Sequence, residues 1–236
     1  MGKLLFLSHL RADLQYAVGR CSRKVQAPSV DDWAAVKKIG RYLRNTRHRE
    51  MLLVPKKGPW RLCAESDADW AGSSDRKSTS GCVVLLNQTL VHSHSRTQAS
   101  IALSSCEAEL YGMMSTAVEL LFVRTWMEEQ GQTLYGTPTL YTDSSSALAL
   151  CGRRGPGRVK HRDIRILALQ AWNRENRLSL AKLPTADNRA DLLTKPMTRE
   201  TLQRHAKNLG LSSLPAVGQT GKRMSKATDH LSDTAP

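Results

Sequence analysis

The sequence predicts an α/β fold in which helices flank a mixed five-stranded sheet. Two observations lead to this prediction. Three short segments with strand-like patterns follow one another, and two more occur singly between segments of helical periodicity. The resulting order of strands and helices is typical of one layered α/β domain. A chain of 236 residues with 40% hydrophobic content is long enough for such a domain and a small additional segment.

The first 56 residues are predicted to be helical. Apolar residues recur every three to five positions over residues 3–20, which indicates one helix. A second helix begins after Ser29, with Asp32 as its capping partner. Its apolar stripe consists of Trp33, Val36, Ile39 and Leu43. Because these helices have few large apolar residues, we expect them to pack on the rest of the chain or on a missing partner.

The pattern changes from helical to strand-like near residue 57. Three strands are predicted within residues 60–66, 81–87 and 89–95, with a hairpin turn at Asn87 and Gln88. The remaining predictions are a long helix from 105 to about 130, a strand at 138–143, helices at 145–151 and 163–174, a strand at 177–184, and short helices at 188–195 and 198–209. We therefore expect one domain over residues 57–208 and a disordered polar tail over residues 209–236.

The chain is strongly basic. Lys and Arg outnumber Asp and Glu by 35 to 21, which gives a net charge of +14. Such a charge favours a polyanionic partner, and nucleic acid is the first candidate. Chromatin, ribosomal and membrane-surface proteins share this balance, so charge alone does not identify the partner.

Cysteine and histidine usage indicates an intracellular protein. The five cysteines are an odd number without a Cys-x-x-Cys pair, and they are expected to be reduced. His92 and His94 alternate on a predicted strand and can bind a metal, but they have no third ligand nearby in the sequence. They are therefore interpreted as polar strand positions. No segment has the length of a membrane span, and none resembles a signal peptide, so no membrane partner is expected.

Acidic residues are scarce in this chain, and several stand at the ends of predicted elements. They are Asp67, Asp69, Glu107, Glu109, Asp143 and Asp191. In a sheet of this kind the first and fourth strands can lie side by side, with the long helix over one face. Carboxylates brought together there would repel one another unless cations lay among them. Two Mg²⁺ ions in such a site would suit phosphoryl displacement, which makes a nuclease one interpretation.

Each acid also has a structural explanation. An Asp at the end of a strand is a common turn residue. Glu107, Glu109 and Asp191 suit the first turns of helices because of the helix dipole. Taken singly, each acid favours this structural explanation, and only their joint arrangement raises the catalytic one.

Five sequence segments resemble the ribonuclease H domain of copia-type LTR retrotransposon Pol polyproteins. They are "ESDADWAGSSDRKSTSGCVVLL", "SSCEAELYGMM", "LYTDSSSALAL", "VKHRDIR" and "NRADLLTKPM", in this order. The resemblance runs from about residue 3 to residue 207. Residues 1–56 resemble the helices that follow the reverse transcriptase palm. The chain is thus identified as similar to the C-terminal part of such a Pol polyprotein, with a ribonuclease H-like fold.

The resemblance implies an activity and a set of catalytic residues. The family's ribonuclease H cuts the RNA strand of an RNA–DNA hybrid with divalent metal, here two Mg²⁺ ions or Mn²⁺ as a substitute. The implied catalytic residues and metal ligands are Asp67, Glu109, Asp143 and Asp191. Asp69 is then a local turn residue and the fallback ligand. Glu107 and Glu109 point about 200° apart on a helix, and the capping role suits Glu107.

The resemblance also implies partners and a location. The partners are an RNA–DNA hybrid and the remainder of the Pol polyprotein, in a cytoplasmic virus-like particle or the nucleus. The paired acids in "SVDDW" at residues 29–33 imitate a polymerase site but begin a helix, so no polymerase activity is expected.

Hybrid recognition is expected to depend on phosphate and sugar contacts rather than on base sequence. The candidate contacts are Arg76, Lys77, Arg96, Gln98, Ser144, Arg158, Lys160 and His161. Ser144 and Ser145 stand where relatives often have Asn-Gln. Two other functions remain open: a catalytically silent nucleic-acid-binding remnant of the same fold, and a basic chromatin- or nucleic-acid-binding host protein.

Overall fold

A computed structural model of the protein describes residues 1–53, 58–153 and 164–213. The helices are α1 (Gly2–Leu10), α2 (Ala12–Ser22), α3 (Val30–Asn45), α4 (Ser105–Glu129), α5 (Ser145–Cys151), α6 (Ile164–Arg174) and α7 (Arg199–Asn208). The strands are β1 (Arg49–Met51), β2 (Leu62–Asp69), β3 (Thr79–Leu86), β4 (Thr89–Thr97), β5 (Thr139–Thr142), β6 (Ser179–Lys182) and β7 (Leu211–Ser213). Two 3-10 helices lie at Thr185–Asp187 and Arg189–Leu193.

The main sheet has the strand order β4-β3-β2-β5-β6. Strands β2, β3 and β4 are antiparallel, whereas β5 and β6 run parallel to β2. The predicted mixed five-stranded fold class is therefore confirmed, including the pairing of the first and fourth predicted strands. Asn87 and Gln88 both have positive φ, at 49° and 65°, as a tight hairpin turn between β3 and β4 requires.

Apolar residues cover both faces of this sheet. On one face α4 packs over β2 and β3, with Leu62, Val84, Met113 and Leu120 in the core. On the other face Val83 and Leu85 pack with Leu193 of the second 3-10 helix and with residues around α7. Burial of this apolar surface is the main force that holds the helices to the sheet.

The N-terminal segment differs from its prediction in one respect. Residues 3–20 form two helices rather than one, and Arg11 separates them with φ −128° and ψ 83°. The Arg11 guanidinium donates to the carboxylate of Asp13 and to the Thr46 hydroxyl. These bonds stabilise the break between α1 and α2. The spacing of apolar residues alone does not reveal this break.

The second predicted helix, α3, is confirmed. Ser29 and Asp32 form the predicted capping box, so Asp32 is a helix N-terminal charge. Ile39 is buried, but Trp33 of the predicted stripe is 61% exposed. The helix therefore presents a narrower apolar face than expected.

The helical segment packs on the rest of the chain, which was one of the two alternatives expected from the sequence. Ala12 belongs to the core that contains Val83 and Leu193. Gln15 of α2 donates to the carbonyl and hydroxyl of Ser93 on β4. Ala12 and Met51 thus share a core with the sheet, whereas Leu14, Val18, Cys21 and Ile39 form a separate cluster within the segment.

A small second sheet joins the beginning and end of the described chain. Strands β1 and β7 pair antiparallel, with Met51 opposite Leu211. Residues 211–213 were expected to be part of the disordered tail but form this strand. The remainder of the predicted tail, 214–236, lies outside the described residues. Among the described residues, no helix is long and apolar enough to cross a membrane.

Gly81 allows the second 3-10 helix to approach the sheet. A Cβ atom at this position would lie 2.7 Å from the carbonyl oxygen of Ala190 and 3.0 Å from the Cβ of Leu193. Gly81 is also the cross-strand partner of Asp67. The residue therefore sets the distance between Asp67 and the helix that carries Asp191.

We predict that Gly81→Ala lowers the free energy of unfolding by about 1–3 kcal/mol, because backbone atoms must move to admit the methyl group. Urea denaturation measures the change. Gly40→Ala is the control, since a Cβ at this helical position has no atom within 4 Å. That variant should be stabilised by about 0.5–1 kcal/mol through its helix propensity. Equal effects at both positions would contradict the close approach at Gly81.

Candidate metal and active site

Three acids from three separate elements meet at the C-terminal ends of the central strands β2 and β5. One carboxylate oxygen each of Asp67, Glu109 and Asp143 lies within 4.8 Å of the others. Asp67 is near the end of β2, and Asp143 directly follows β5. The two strands are parallel with Ser66 opposite Thr142, so their carboxyl ends deliver both acids to the same place.

Helix α4 brings Glu109 to the same strand ends because it approaches β2 closely at Gly112. A Cβ at Gly112 would lie 3.1 Å from the Ser66 hydroxyl and 3.2 Å from the Asp67 carbonyl oxygen. A larger residue would push the helix away from β2. The indole N–H of Trp70 also donates to the carbonyl of Ala102 at 2.9 Å, which ties the end of β2 to the segment before α4.

The cluster is electrostatically unfavourable without a cation. Burial, followed by the charges of Asp67 and Asp143, raises the pKa of Glu109 to about 9. Burial, followed by the charge of Asp191, raises the pKa of Asp67 to about 6. The Oε2 atom of Glu109 is buried without a hydrogen-bond partner in the part of the chain described. Several carboxylates that repel one another, one of them with an oxygen that lacks a hydrogen-bond partner, form a donor set that suits a hard divalent cation.

Asp191 lies beside the cluster of Asp67, Glu109 and Asp143 but is not one of its three members. Its Oδ1 atom is 2.9 Å from the Lys195 ammonium, which is 3.8 Å from Asp67. Burial lowers the pKa of Lys195, but the charges of Asp67 and Asp191 outweigh it and raise that pKa overall. Lys195 therefore supplies positive charge between the first and fourth predicted acids.

Two residues that contact the candidate site, Thr194 and Lys195, were not predicted from the sequence. The Thr194 hydroxyl donates to Oδ2 of Asp67, and Lys195 bridges to Asp191. The spacing of Asp191 and Lys195, four residues apart, was a usable signal for the ion pair. Thr194 and Asp67 are 127 positions apart in the sequence, so their contact had no local signal.

The geometry distinguishes between the alternative acids. Glu107 accepts from the Leu103 backbone N–H at 2.7 Å and from the Tyr111 hydroxyl at 2.6 Å. It is therefore occupied at the start of α4, and Glu109 is the member of the cluster. Strand β2 continues to Asp69, but this side chain lies over Gly72, where a Cβ would be 1.8 Å from its Oδ2. Asp69 is thus the last residue of β2, opposite Thr79, rather than the turn residue that was expected. Asp67 is the member of the cluster.

The residues predicted to contact nucleic acid differ in their exposure and in their partners within the fold. Gln98 needs correction, because it is buried and its amide donates to the Ser80 hydroxyl and the Ala108 carbonyl. It stabilises the packing of α4 on the sheet and is not placed to reach a sugar. Arg76 and Lys77 lie in the turn before β3, and Arg76 is exposed.

Two more of these residues already have partners within the fold. Ser144 caps α5 by accepting from the Ala147 N–H. Arg96 contacts Glu119 at 3.1 Å. The remaining predicted contacts, Arg158, Lys160 and His161, lie outside the described residues.

Comparisons with known proteins agree with the resemblance described above. No protein-family model matches the chain. The retrovirus-related Pol polyprotein from transposon RE2 of Arabidopsis thaliana is 34% identical over 218 residues, covering 91% of this chain and 15% of that protein. The corresponding polyprotein from transposon TNT 1-94 of Nicotiana tabacum is 33% identical over 207 residues, covering 86% and 15%. The chain thus spans about 15% of the length of these curated relatives.

Among solved structures, LC11-RNase H1, isolated from compost, matches with a TM-score of 0.43 and 16% identity. The match covers 61% of this chain and 96% of that one. The fold itself is identified by the strand order and the packing of α4.

We predict that Asp143→Asn stabilises the metal-free protein at pH 8 and abolishes stabilisation by Mg²⁺. Removing one charge relieves repulsion in the cluster, and a rise of about 2–4 °C in Tm corresponds to about 1 kcal/mol for a chain of this size. Thermal unfolding with EDTA or Mg²⁺ measures both effects. Glu175→Gln, at an exposed position, is the control and should change neither. Equal Mg²⁺ stabilisation of Asp143→Asn and wild type would exclude this cation site.

The same cluster predicts a pH dependence of stability. The folded-state pKa values of Asp67, about 6, and Glu109, about 9, lie above those of ordinary Asp and Glu. The folded state therefore binds more protons than the unfolded state over this range. Stability of the metal-free protein should fall as pH rises from about 4 to about 9. Added Mg²⁺ should reduce this slope, and a slope that Mg²⁺ leaves unchanged would argue against metal binding by the cluster.

Proposed function

The chain belongs to the family of copia-type retrotransposon Pol polyproteins, and we propose that it carries their ribonuclease H activity. The reaction is Mg²⁺-dependent hydrolysis of the RNA strand of an RNA–DNA hybrid during reverse transcription. One observation carries the proposal: three carboxylates from β2, α4 and the end of β5 converge with their oxygens within 4.8 Å. Carboxylates held this close repel one another, and a bound divalent cation would relieve that repulsion.

The residues of the site have distinct roles in this reaction. Asp67, Glu109 and Asp143 would hold the metal, and Asp191 would complete the set at its side. When bound, two Mg²⁺ ions supply positive charge for the attacking and leaving oxygens of an in-line phosphoryl displacement. The Thr194 hydroxyl donates to Asp67 and orients it. This bond holds that ligand in place before metal or substrate arrives.

Cations line part of a cleft beside the site and could contact a nucleic-acid substrate. The cleft lies between the helical segment and the sheet domain. Its charged lining residues are Arg20, Arg23, Lys24, Lys38 and Lys195, together with Asp13, Asp31, Asp32 and Asp75. The charge of Arg20 also acts on Asp69, at the rim of the site. Such cations bind phosphates without reading bases, so cleavage is expected to be largely independent of sequence.

The remainder of the Pol polyprotein is the proposed protein partner. This is supported by the relatives, of which the chain spans about 15%. The place of action would then be a cytoplasmic virus-like particle or the nucleus.

We expect the wild-type chain to cleave the labelled RNA strand of an RNA–DNA hybrid in Mg²⁺. Asp143→Asn and Glu109→Gln should lose more than about a hundredfold in rate, because each removes a ligand rather than a supporting contact. Glu107→Gln is the matched control on the same helix and should stay within about tenfold of wild type. Product formation on a denaturing gel measures the rates.

Hybrid binding, measured by fluorescence anisotropy, separates the alternatives. Folded wild type that binds the hybrid but does not cleave it would indicate the catalytically silent remnant. Cleavage that persists in both Asp143→Asn and Glu109→Gln would show that the carboxylate cluster is not the active site.

We also predict that Lys195→Met lowers the Mg²⁺ concentration needed for half-maximal cleavage several-fold. The Lys195 ammonium neutralises Asp67 and Asp191, so its removal leaves more negative charge for the metal. Lys207→Met, at an exposed position of α7, is the control. An unchanged or increased Mg²⁺ requirement would show that Lys195 does not compete with the metal.

A further inference from the structure

We propose that His92, His94 and Glu119 form a second metal site, for a transition-metal dication such as Zn²⁺. One ligating atom of each residue lies within 4.8 Å of the others. The two histidines are on β4, at the edge of the sheet, and Glu119 is on α4. Glu119 is ten residues beyond Glu109, or about 15 Å along the helix axis, so this site is separate from the carboxylate cluster.

The distances between the ligand atoms fit a tetrahedral ion. Nε2 of His92 is 3.4 Å from Nδ1 of His94. Oε2 of Glu119 is 3.7 Å from His92 Nε2, and Oε1 of Glu119 is 3.9 Å from His94 Nδ1. Bonds of about 2.0–2.1 Å in a tetrahedron separate the ligands by about 3.3–3.4 Å. The histidine nitrogens already have this separation, and the Glu119 side chain must turn to bring one oxygen to it from both nitrogens.

Neighbouring side chains hold the ligands in a suitable state. Nε2 of His94 is 3.1 Å from the Ser115 hydroxyl, a contact that leaves Nδ1 directed at the other ligands. Arg96 contacts Oε1 of Glu119 at 3.1 Å, which turns Oε2 toward His92. Contacts of this kind commonly orient metal ligands in proteins.

The neighbouring charges partly offset one another. The Arg96 guanidinium, 3.1 Å from Oε1 of Glu119, opposes an added cation. The Glu119 carboxylate offsets this charge and lies on the side of both histidines.

Ligand chemistry determines which ion this site takes. Two imidazole nitrogens and one carboxylate favour Zn²⁺ or a similar borderline ion, whereas the all-oxygen cluster at Asp67 favours Mg²⁺. Three protein ligands leave a fourth position for water. A bound ion would join the edge strand β4 to α4.

Titration with Co²⁺ in excess Mg²⁺ tests the proposal, because Mg²⁺ occupies the carboxylate cluster. We expect visible d–d absorption from one equivalent of Co²⁺ on the full chain, which Zn²⁺ displaces. His92→Gln should weaken Co²⁺ binding by at least about tenfold. His48→Gln, at an exposed histidine elsewhere in the chain, is the matched control and should bind as wild type does.

Glu119→Gln provides a second variant if His92→Gln proves unfolded by circular dichroism. Its binding should weaken by a similar factor. Zn²⁺ should also raise the Tm of wild type and of His48→Gln but not of the site variants. Absence of Co²⁺ absorption in wild type, or equal affinity in wild type and the folded site variants, would overturn the proposal.

Discussion

Repulsion among the carboxylates of buried Asp67 and half-buried Glu109 and Asp143 is the constraint on which the rest of this structure depends. Each acid comes from a different element, so the elements must be held together against the charges they carry. The parallel pairing of β2 and β5 fixes two of them, and the close approach of α4 at Gly112 fixes the third. Apolar burial on both faces of the sheet supplies the free energy that offsets this repulsion.

The face of the sheet opposite α4 contributes the remaining part of the site. Asn188 donates to the carbonyl of Ser66 at 3.1 Å, and Arg189 donates to Glu65 at 2.9 Å. These bonds attach the second 3-10 helix directly beneath the end of β2. As a result Thr194 and Lys195 reach Asp67 from the side that α4 leaves open.

The N-terminal helices are part of the same cooperative structure. Buried Asp13 accepts from Arg11, Tyr42 and Arg49, which joins α2, α3 and β1 in one network. Strand β1 then pairs with β7 at the far end of the described chain. Because a buried carboxylate without its partners would be costly, this network holds the helical segment together. The bonds from Gln15 to Ser93 then join that segment to the sheet domain.

The sequence by itself determined the fold class and most elements, because these follow from local periodicity. Its motifs also pointed to three acids that the structure brings together, Asp67, Glu109 and Asp143. Strand alternation, the capping box at Ser29 and the turn at Asn87 are properties of a few neighbouring residues, and the structure contains all three. Only the tertiary structure decided which side chains meet across long separations. It broke the first helix at Arg11, buried Gln98 under α4, added Lys195 and Thr194 to the site, and gave His92 and His94 a third ligand from Glu119. These contacts depend on the packing of α4 and the 3-10 helix against the sheet, and no short-range pattern records that packing.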